Sequence, residues 1–163
     1  MSESAAIMSK DLDDPWECNQ CPVLLVDDSV FNIQALELNL KKLFNFDVDT
    51  AFDGKQAVNA FKDKIDFKES TCLQTQCSKH IYHLIFMDLN MPVLDGFDAT
   101  KQILDLQKNL PQEKRAKIVA VTAYVDAANI NRCMDIGMVE VINKPATPDE
   151  LLNTITKNCP DLL

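Results

Sequence analysis

The sequence predicts an α/β protein built on an open parallel β-sheet with helices on both faces. Two observations lead to this prediction. Five short, mostly apolar runs alternate along the chain with segments whose apolar residues recur at helical spacing. Several of these runs are apolar throughout, which is typical of strands buried on both faces in a parallel sheet.

The first two strand–helix units follow each other directly. The run PVLLVD is predicted to be a central strand, and the segment SVFNIQALELNLKKLF after it a helix. The apolar residues at helical spacing are Ile33, Leu36, Leu40 and Leu43, with Phe31, Ala35 and Leu38 beside them. The next run, FDVDTA, is more polar and indicates a strand nearer the sheet edge, and DGKQAVNAFKDK is predicted to be a helix.

The remaining three units continue the alternation. HLIFMD and KIVAVTA are predicted strands, and the helix GFDATKQILDLQKNL between them stops before Pro111. The helix DAANINRCMDIG is closed by Gly137, a residue type common after helix ends, and the strand MVEVINKP follows. The last helix lies in TPDELLNTITKN, with Thr147 as N-cap, Pro148 at the first position and Glu150 three residues after the cap.

Charge and composition narrow the class of protein. The chain carries a net charge of −9, and no basic patch is available to bind the phosphates of duplex DNA. We therefore expect no direct nucleic-acid ligand. No apolar run approaches the roughly 20 residues that cross a bilayer, and the N-terminus lacks a hydrophobic signal core. We expect an intracellular, cytoplasmic domain at residues 21–160 that makes no membrane contact itself, preceded by a polar tail at residues 1–20.

Four of the five predicted strands end in polar residues, namely Asp27 with Asp28, Asp88, Thr122 and Lys144. The carboxyl ends of parallel strands line one crevice, so residues spread over nearly 120 positions are expected to meet there. Three close carboxylates repel each other unless a cation neutralises them. All-oxygen ligation by a few carboxylates suits Mg²⁺, which is therefore the expected cofactor.

The motifs VLLVDDS, IFMDLNMPVLDG, VAVTA and VINKPA resemble, in this order, those of the receiver domain of two-component response regulators and hybrid histidine kinases. The resemblance spans residues 22–158. It implies a flavodoxin-like fold with five parallel strands in the order 2-1-3-4-5. It also implies a role in a phosphorelay, with Asp88 accepting a phosphoryl group from a histidine kinase or a histidine phosphotransfer protein.

The resemblance also assigns roles to single residues. Asp28 would bind Mg²⁺ directly and Asp27 mainly through water, with Asp88 and the backbone carbonyl of Asn90 as further ligands. Lys144 would pair with a phosphoryl oxygen. Further contacts to the phosphoryl group would come from the hydroxyl of Thr122 and from the backbone N–H groups of Leu89 and Ala123. The Lys144–Pro145 bond is expected to be cis, as in the family, and Gly96 to fit the turn that opens the third helix.

One departure from the family lies three positions before the lysine. Many receivers carry Tyr or Phe there, and rotation of the ring reports phosphorylation, whereas this chain has Val141. A valine has no ring to swing inward, so aromatic coupling to Thr122 is in doubt. Tyr124 is interpreted as an exposed structural residue, with a cover over the crevice mouth as the alternative.

A second departure is an insertion at about residues 65–83, longer than most connections between elements. It contains Cys72 and Cys77, and the inferred strand order places it at the same sheet edge as Cys18 and Cys21. Two such pairs form a candidate structural Zn²⁺ site, in which His80 could replace one thiolate. Unpaired thiols and a single disulfide remain open alternatives. Cys133 and Cys159 are expected to be ordinary buried or incidental thiols.

The expected role is that of a phosphoacceptor switch and not of an enzyme with a separate substrate. One alternative is a receiver-like interaction module that takes no phosphate. Another is a haloacid-dehalogenase-type phosphohydrolase, although such chemistry normally uses a second aspartate at the position of Asn90. With no output domain after residue 158, the chain is expected to be a stand-alone regulator or, if it is a fragment, the terminal receiver of a larger hybrid kinase that tethers it to a membrane.

Overall fold

The computed structural model describes residues 23–71 and 81–163. Within these two ranges the chain forms five β-strands that alternate with five α-helices, as the sequence predicts. The strands are β1 (Val23–Val26), β2 (Val48–Ala51), β3 (Leu84–Asp88), β4 (Lys117–Thr122) and β5 (Glu140–Asn143). The helices are α1 (Val30–Phe44), α2 (Gly54–Thr71), α3 (Gly96–Gln107), α4 (Ala127–Ile136) and α5 (Pro148–Asn158).

The strands form one parallel sheet in the order β2-β1-β3-β4-β5. This is the order expected for a flavodoxin-like fold. From β1 the chain crosses outward to β2, and from β3 it continues in the other direction to β4. The change of direction lies between β1 and β3, and ligands of such sheets bind in the crevice at the carboxyl ends of the two strands on either side of it.

The sheet buries alternate residues of each central strand on opposite faces. On β1, Leu24 and Val26 join a cluster with α2, α3 and α4, while Val23 and Leu25 join a second cluster with α1 and α5. Both clusters consist of side chains that are almost entirely removed from water, and each fully buried Val, Leu, Ile, Phe or Met side chain contributes about 1.5–3 kcal/mol. This two-sided burial explains why the runs at β1, β3 and β4 are apolar throughout.

Helix ends follow the predicted signals. Thr147 accepts a hydrogen bond from the Glu150 N–H at 3.3 Å, and the Glu150 carboxylate accepts one from the Thr147 N–H at 2.9 Å. This is a complete capping box, with Pro148 in the first helical turn. Gly137 closes α4 in the left-handed conformation, with φ of 112°.

Two features differ from the sequence predictions. Phe31 and Leu38 are 82% and 52% exposed, because each lies two residues from the buried stripe of α1 and therefore points to its opposite side. Helix α2 continues to Thr71, so the first part of the segment predicted as a long insertion is helical. In the described ranges no helix is both long and apolar enough to cross a membrane.

Candidate functional site

Four strands deliver polar side chains to the carboxyl edge of the sheet. Asp27 follows β1, Asp88 and Thr122 are the last residues of β3 and β4, and Lys144 comes one residue after β5. Asp88 pairs in register with Val121, which places Thr122 one residue further along the neighbouring strand. The structure therefore brings together the residues that the sequence analysis singled out.

The three aspartates form a compact acidic cluster. Carboxylate oxygens of Asp27, Asp28 and Asp88 lie within 4.8 Å of one another. Asp27 and Asp88 are 1% and 5% exposed, whereas Asp28 is open to solvent. Two buried carboxylates and one exposed carboxylate at this separation attract a cation from solvent.

Lys144 is the cation already present in the cluster. Its Nζ lies 2.6 Å from Asp27 Oδ2 and 3.1 Å from Asp88 Oδ2. One ammonium group therefore contacts two buried carboxylates, and the cluster of three aspartates and one lysine keeps an excess of negative charge.

Burial raises the pKa of the Asp88 carboxyl above its ordinary value of 3.8, and the neighbouring charge of Asp27 raises it as well. Lys144 lowers the pKa of Asp88 through its hydrogen bond and its charge. The Asn90 N–H, 3.5 Å from Asp88 Oδ1, acts in the same direction. A bound divalent cation would favour the ionised carboxyl group further.

Asp27 is held by its own polar contacts. The Ser29 backbone N–H donates to Asp27 Oδ1 at 2.9 Å. The Asn32 side-chain amide donates to both carboxylate oxygens, at 3.0 Å to Oδ1 and 3.2 Å to Oδ2. The sequence analysis missed Asn32, whose only signal was an amide side chain five residues after Asp27, one turn into a predicted helix.

The donor set fits Mg²⁺. The cluster offers only oxygen ligands, several of them charged, and Asp28 faces solvent, so water can complete the coordination. It is also the only group of three or more potential metal ligands among the described residues. The predicted Zn²⁺ ligands Cys18, Cys21, Cys72 and Cys77, with His80, lie outside the described residues, whereas Cys133 and Cys159 are buried thiols, as expected.

Thr122 and Lys144 are linked through the backbone. The Lys144 N–H donates to the Thr122 carbonyl at 2.9 Å, which extends the β4–β5 pairing to the crevice. The Thr122 hydroxyl oxygen accepts a hydrogen bond from the Tyr124 N–H at 3.1 Å. The Lys144–Pro145 peptide bond is cis, as the resemblance implied.

The loop after β3 borders the site on the side of α2 and α3. Val93 has φ of 69°, and the Leu94 N–H donates to the Pro92 carbonyl at 2.8 Å, so a γ-turn is centred on Val93. The Gly96 N–H then donates to the Leu89 carbonyl at 3.0 Å. A Cβ on Gly96 would lie 2.0 Å from the backbone oxygen of Asp88, so only glycine allows α3 to start this close to the site.

The position that is aromatic in many receivers holds a smaller aliphatic side chain here. Val141 is partly buried and packs against the cluster formed with α2, α3 and α4. Tyr124 is 68% exposed, in line with its interpretation as an exposed residue. On the same side of the sheet, the guanidinium of Arg132 on α4 lies 3.7 Å from the ring centroid of Phe97 on α3.

Comparison with known proteins assigns the family. A model of the response regulator receiver domain matches residues 23–156, which is most of the chain. The chain therefore belongs to the response regulator receiver family, whose members act in two-component and phosphorelay signalling. Membership of this family argues against the alternative that the chain is a haloacid-dehalogenase-type phosphohydrolase.

Relatives and solved structures agree with this assignment. The osmosensing histidine protein kinase SLN1 of Saccharomyces cerevisiae is 31% identical over 150 residues, covering 90% of this chain and 11% of the kinase. This chain spans 5% to 14% of the length of the curated histidine kinases that it matches.

Two solved structures have the same fold, and the match covers most of each of those chains. One is the co-crystal structure of the S. cerevisiae histidine phosphotransfer protein Ypd1 with the receiver domain of its downstream response regulator Ssk1. It is 30% identical with a TM-score of 0.68, covering 89% of this chain and 93% of that chain. The other is the receiver domain of the sensor histidine kinase PA1611 from Pseudomonas aeruginosa, with magnesium coordinated in the active-site cleft. It is 28% identical with a TM-score of 0.62, covering 83% of this chain and 94% of that chain.

Proposed function

We propose that this receiver domain accepts a phosphoryl group on the carboxylate of Asp88. The observation that carries the proposal is the burial of that carboxylate beside other charged groups. Asp88 is buried at the crevice, with two further aspartates within 4.8 Å and Lys144 Nζ 3.1 Å from its Oδ2. A buried carboxylate beside a cation and a set of metal ligands is equipped for phosphoryl transfer, where positioning and charge stabilisation supply most of the catalysis.

In the proposed transfer, a carboxylate oxygen of Asp88 forms a bond to phosphorus while the bond between phosphorus and the imidazole nitrogen of a phosphohistidine breaks. The imidazole nitrogen keeps the electron pair of the broken bond, and the product is an acyl phosphate. Mg²⁺ held by Asp27, Asp28, Asp88 and the Asn90 carbonyl would supply positive charge to the phosphoryl oxygens.

Lys144 and Thr122 complete the proposed site. Lys144 Nζ already touches Asp88 and would pair with a phosphoryl oxygen once that group is attached. The Thr122 hydroxyl, at the end of the adjacent strand, would donate to another oxygen. Backbone N–H groups of Leu89 and Ala123 would provide further donors.

The proposed donor is a histidine kinase or a histidine phosphotransfer protein. The support is that a similar receiver domain has been crystallised with the phosphotransfer protein Ypd1, and that the curated relatives are histidine kinases. We place the functional domain at residues 21–160, because the family match at 23–156, the sheet and the five α-helices fall inside these limits.

The test is incubation with Mg²⁺ and a small phosphodonor such as acetyl phosphate. Intact mass measurement should show the addition of one phosphoryl group that hydroxylamine removes, as expected for an acyl phosphate. Asp88→Asn should gain no mass, while Asp105→Asn, at an exposed site on α3, should behave like the wild type. Folded wild-type protein that takes no phosphoryl group and binds no beryllofluoride would instead support an interaction module that works without phosphate.

A further inference from the structure

Asn32 makes contacts that the proposed transfer does not account for. Its side-chain nitrogen is 3.0 Å from Asp27 Oδ1 and 3.2 Å from Asp27 Oδ2. The nitrogen of the amide must face the carboxylate, because its oxygen would be repelled by two acceptor atoms. One amide group therefore reaches both oxygens of a carboxylate that is 1% exposed.

This contact is distinct from a helix cap. Asn32 lies in the first turn of α1, where a polar side chain often binds the N-cap residue, but Ser29 makes no side-chain capping bond. The amide instead reaches back past the start of the helix to Asp27. Asn32 also lines a small pocket together with Asp27, Lys144 and Pro145.

Each oxygen of Asp27 accepts from two donors, and the two oxygens share the Asn32 amide. Oδ1 accepts from Ser29 N–H and from Asn32, and Oδ2 accepts from Lys144 and from Asn32. A phosphoryl group on Asp88 would draw Lys144 Nζ away from Asp27 Oδ2. Among these contacts, the Asn32 amide is then the only side-chain donor left to that oxygen.

We infer that Asn32 is a positioning residue for Asp27. Its amide fixes the orientation of this carboxylate toward the metal, both when Lys144 is bound to it and when Lys144 has moved to the phosphoryl group. The inference rests on the proposed function, since it assigns Asp27 to the Mg²⁺ site. Groups that orient metal ligands commonly change metal affinity by 10-fold or more when they are removed.

The experiment measures Mg²⁺ binding by isothermal titration calorimetry in wild type, Asn32→Leu and Asn32→Ala. Leucine keeps the approximate volume of asparagine without its donors, and alanine serves if leucine perturbs the fold. We expect the Kd for Mg²⁺ to rise by about 10-fold in either variant. Gln34→Leu on the exposed side of the same helix is the matched control and should bind Mg²⁺ like the wild type.

A second readout separates positioning from a structural role. At saturating Mg²⁺, Asn32→Leu should still bind beryllofluoride, because Asp88, Thr122 and Lys144 are intact, but with lower affinity than the wild type, because Asp27 Oδ2 loses its remaining side-chain donor when Lys144 moves to the ligand. If Asn32 only stabilises the start of α1, the variant will lose thermal stability while its Kd for Mg²⁺ stays within twofold of wild type, and the inference is wrong. Wild-type protein that binds Mg²⁺ but takes no phosphate would overturn the proposed function alone, and wild-type protein that binds no Mg²⁺ would overturn both.

Discussion

Lys144 Nζ lies 3.1 Å from Asp88 Oδ2, so the carboxylate that is proposed to receive the phosphoryl group is already paired with a cation. The same Nζ lies 2.6 Å from Asp27, and the lysine side chain is 18% exposed. The lysine therefore links β1, β3 and the end of β5. This link explains how two buried aspartates remain compatible with a folded domain.

Removal of this cation should destabilise the metal-free domain. In Lys144→Met, Asp27 and Asp88 stay buried without their shared partner, and we expect a loss of about 3 kcal/mol in the free energy of unfolding. Urea denaturation with and without Mg²⁺ measures it. Mg²⁺ should restore part of the loss, since it replaces the missing positive charge. Lys101→Met, which breaks an exposed pair with Asp98, should change stability by less than about 1 kcal/mol. Equal losses in the two variants would contradict this account.

Replacement of Asp88 should stabilise the metal-free domain at neutral pH. Burial raises the pKa of Asp88 above 3.8, so the folded state holds this proton more tightly than the unfolded state. Unfolding releases that proton between the two pKa values, and stability therefore falls as pH rises through this window. Asp88→Asn removes the cost of burying an ionised carboxyl group and should raise the Tm by a few degrees at pH 7.

The gain in stability from Asp88→Asn should depend on pH and on the presence of Mg²⁺. It should shrink as pH falls below the raised pKa of Asp88, because the wild-type carboxyl group is then neutral in the folded state as well. It should also shrink in Mg²⁺, which favours the wild-type carboxylate. Thermal melts across this pH range, with and without Mg²⁺, test both points. A variant that is less stable than wild type at pH 7 without metal would show that the pairing with Lys144 outweighs the cost of burial.

Local sequence pattern was sufficient to predict the parallel sheet and the members of the crevice, whereas the strand order was implied by the resemblance to receiver domains. Apolar runs identify strands buried on both faces, and polar residues at their ends fall at one edge. Asn32 and Val93 could not be predicted in this way. The contact of Asn32 depends on how α1 leaves β1, and the positive φ of Val93 depends on the path from β3 to α3. Neither residue type indicates its role by itself.

The start of α3 should not tolerate any side chain. In Gly96→Ala the new Cβ would meet the Asp88 backbone oxygen at 2.0 Å, so β3 and α3 must move apart. We expect a loss of about 2–3 kcal/mol in the free energy of unfolding, together with weaker Mg²⁺ and beryllofluoride binding, because the moving backbone carries Asp88. Chemical denaturation and calorimetry measure the two effects.

Gly137→Ala provides the matched control for this prediction. Gly137 has φ of 112° at the end of α4, which leads to the start of β5 and so lies away from the crevice. This variant should lose about 1 kcal/mol of stability, with ligand binding kept. Unchanged Mg²⁺ binding in folded Gly96→Ala would show that the contact with Asp88 does not position the site.

The γ-turn at Val93 should store strain that glycine releases. A β-branched residue at φ of 69° is costly, on the order of 1–3 kcal/mol, while glycine adopts this conformation freely but adds unfolded-state entropy of about 0.5–1 kcal/mol. We expect Val93→Gly to stabilise the domain by about 1 kcal/mol and Val93→Pro, whose ring fixes φ near −65°, to destabilise it by about 3 kcal/mol or more. Urea denaturation of both variants measures the difference. Val125→Gly is the control. Val125 is also exposed but has no positive φ, so the same change should not raise the free energy of unfolding there. A loss of stability in Val93→Gly would show that contacts of the valine side chain outweigh its backbone strain.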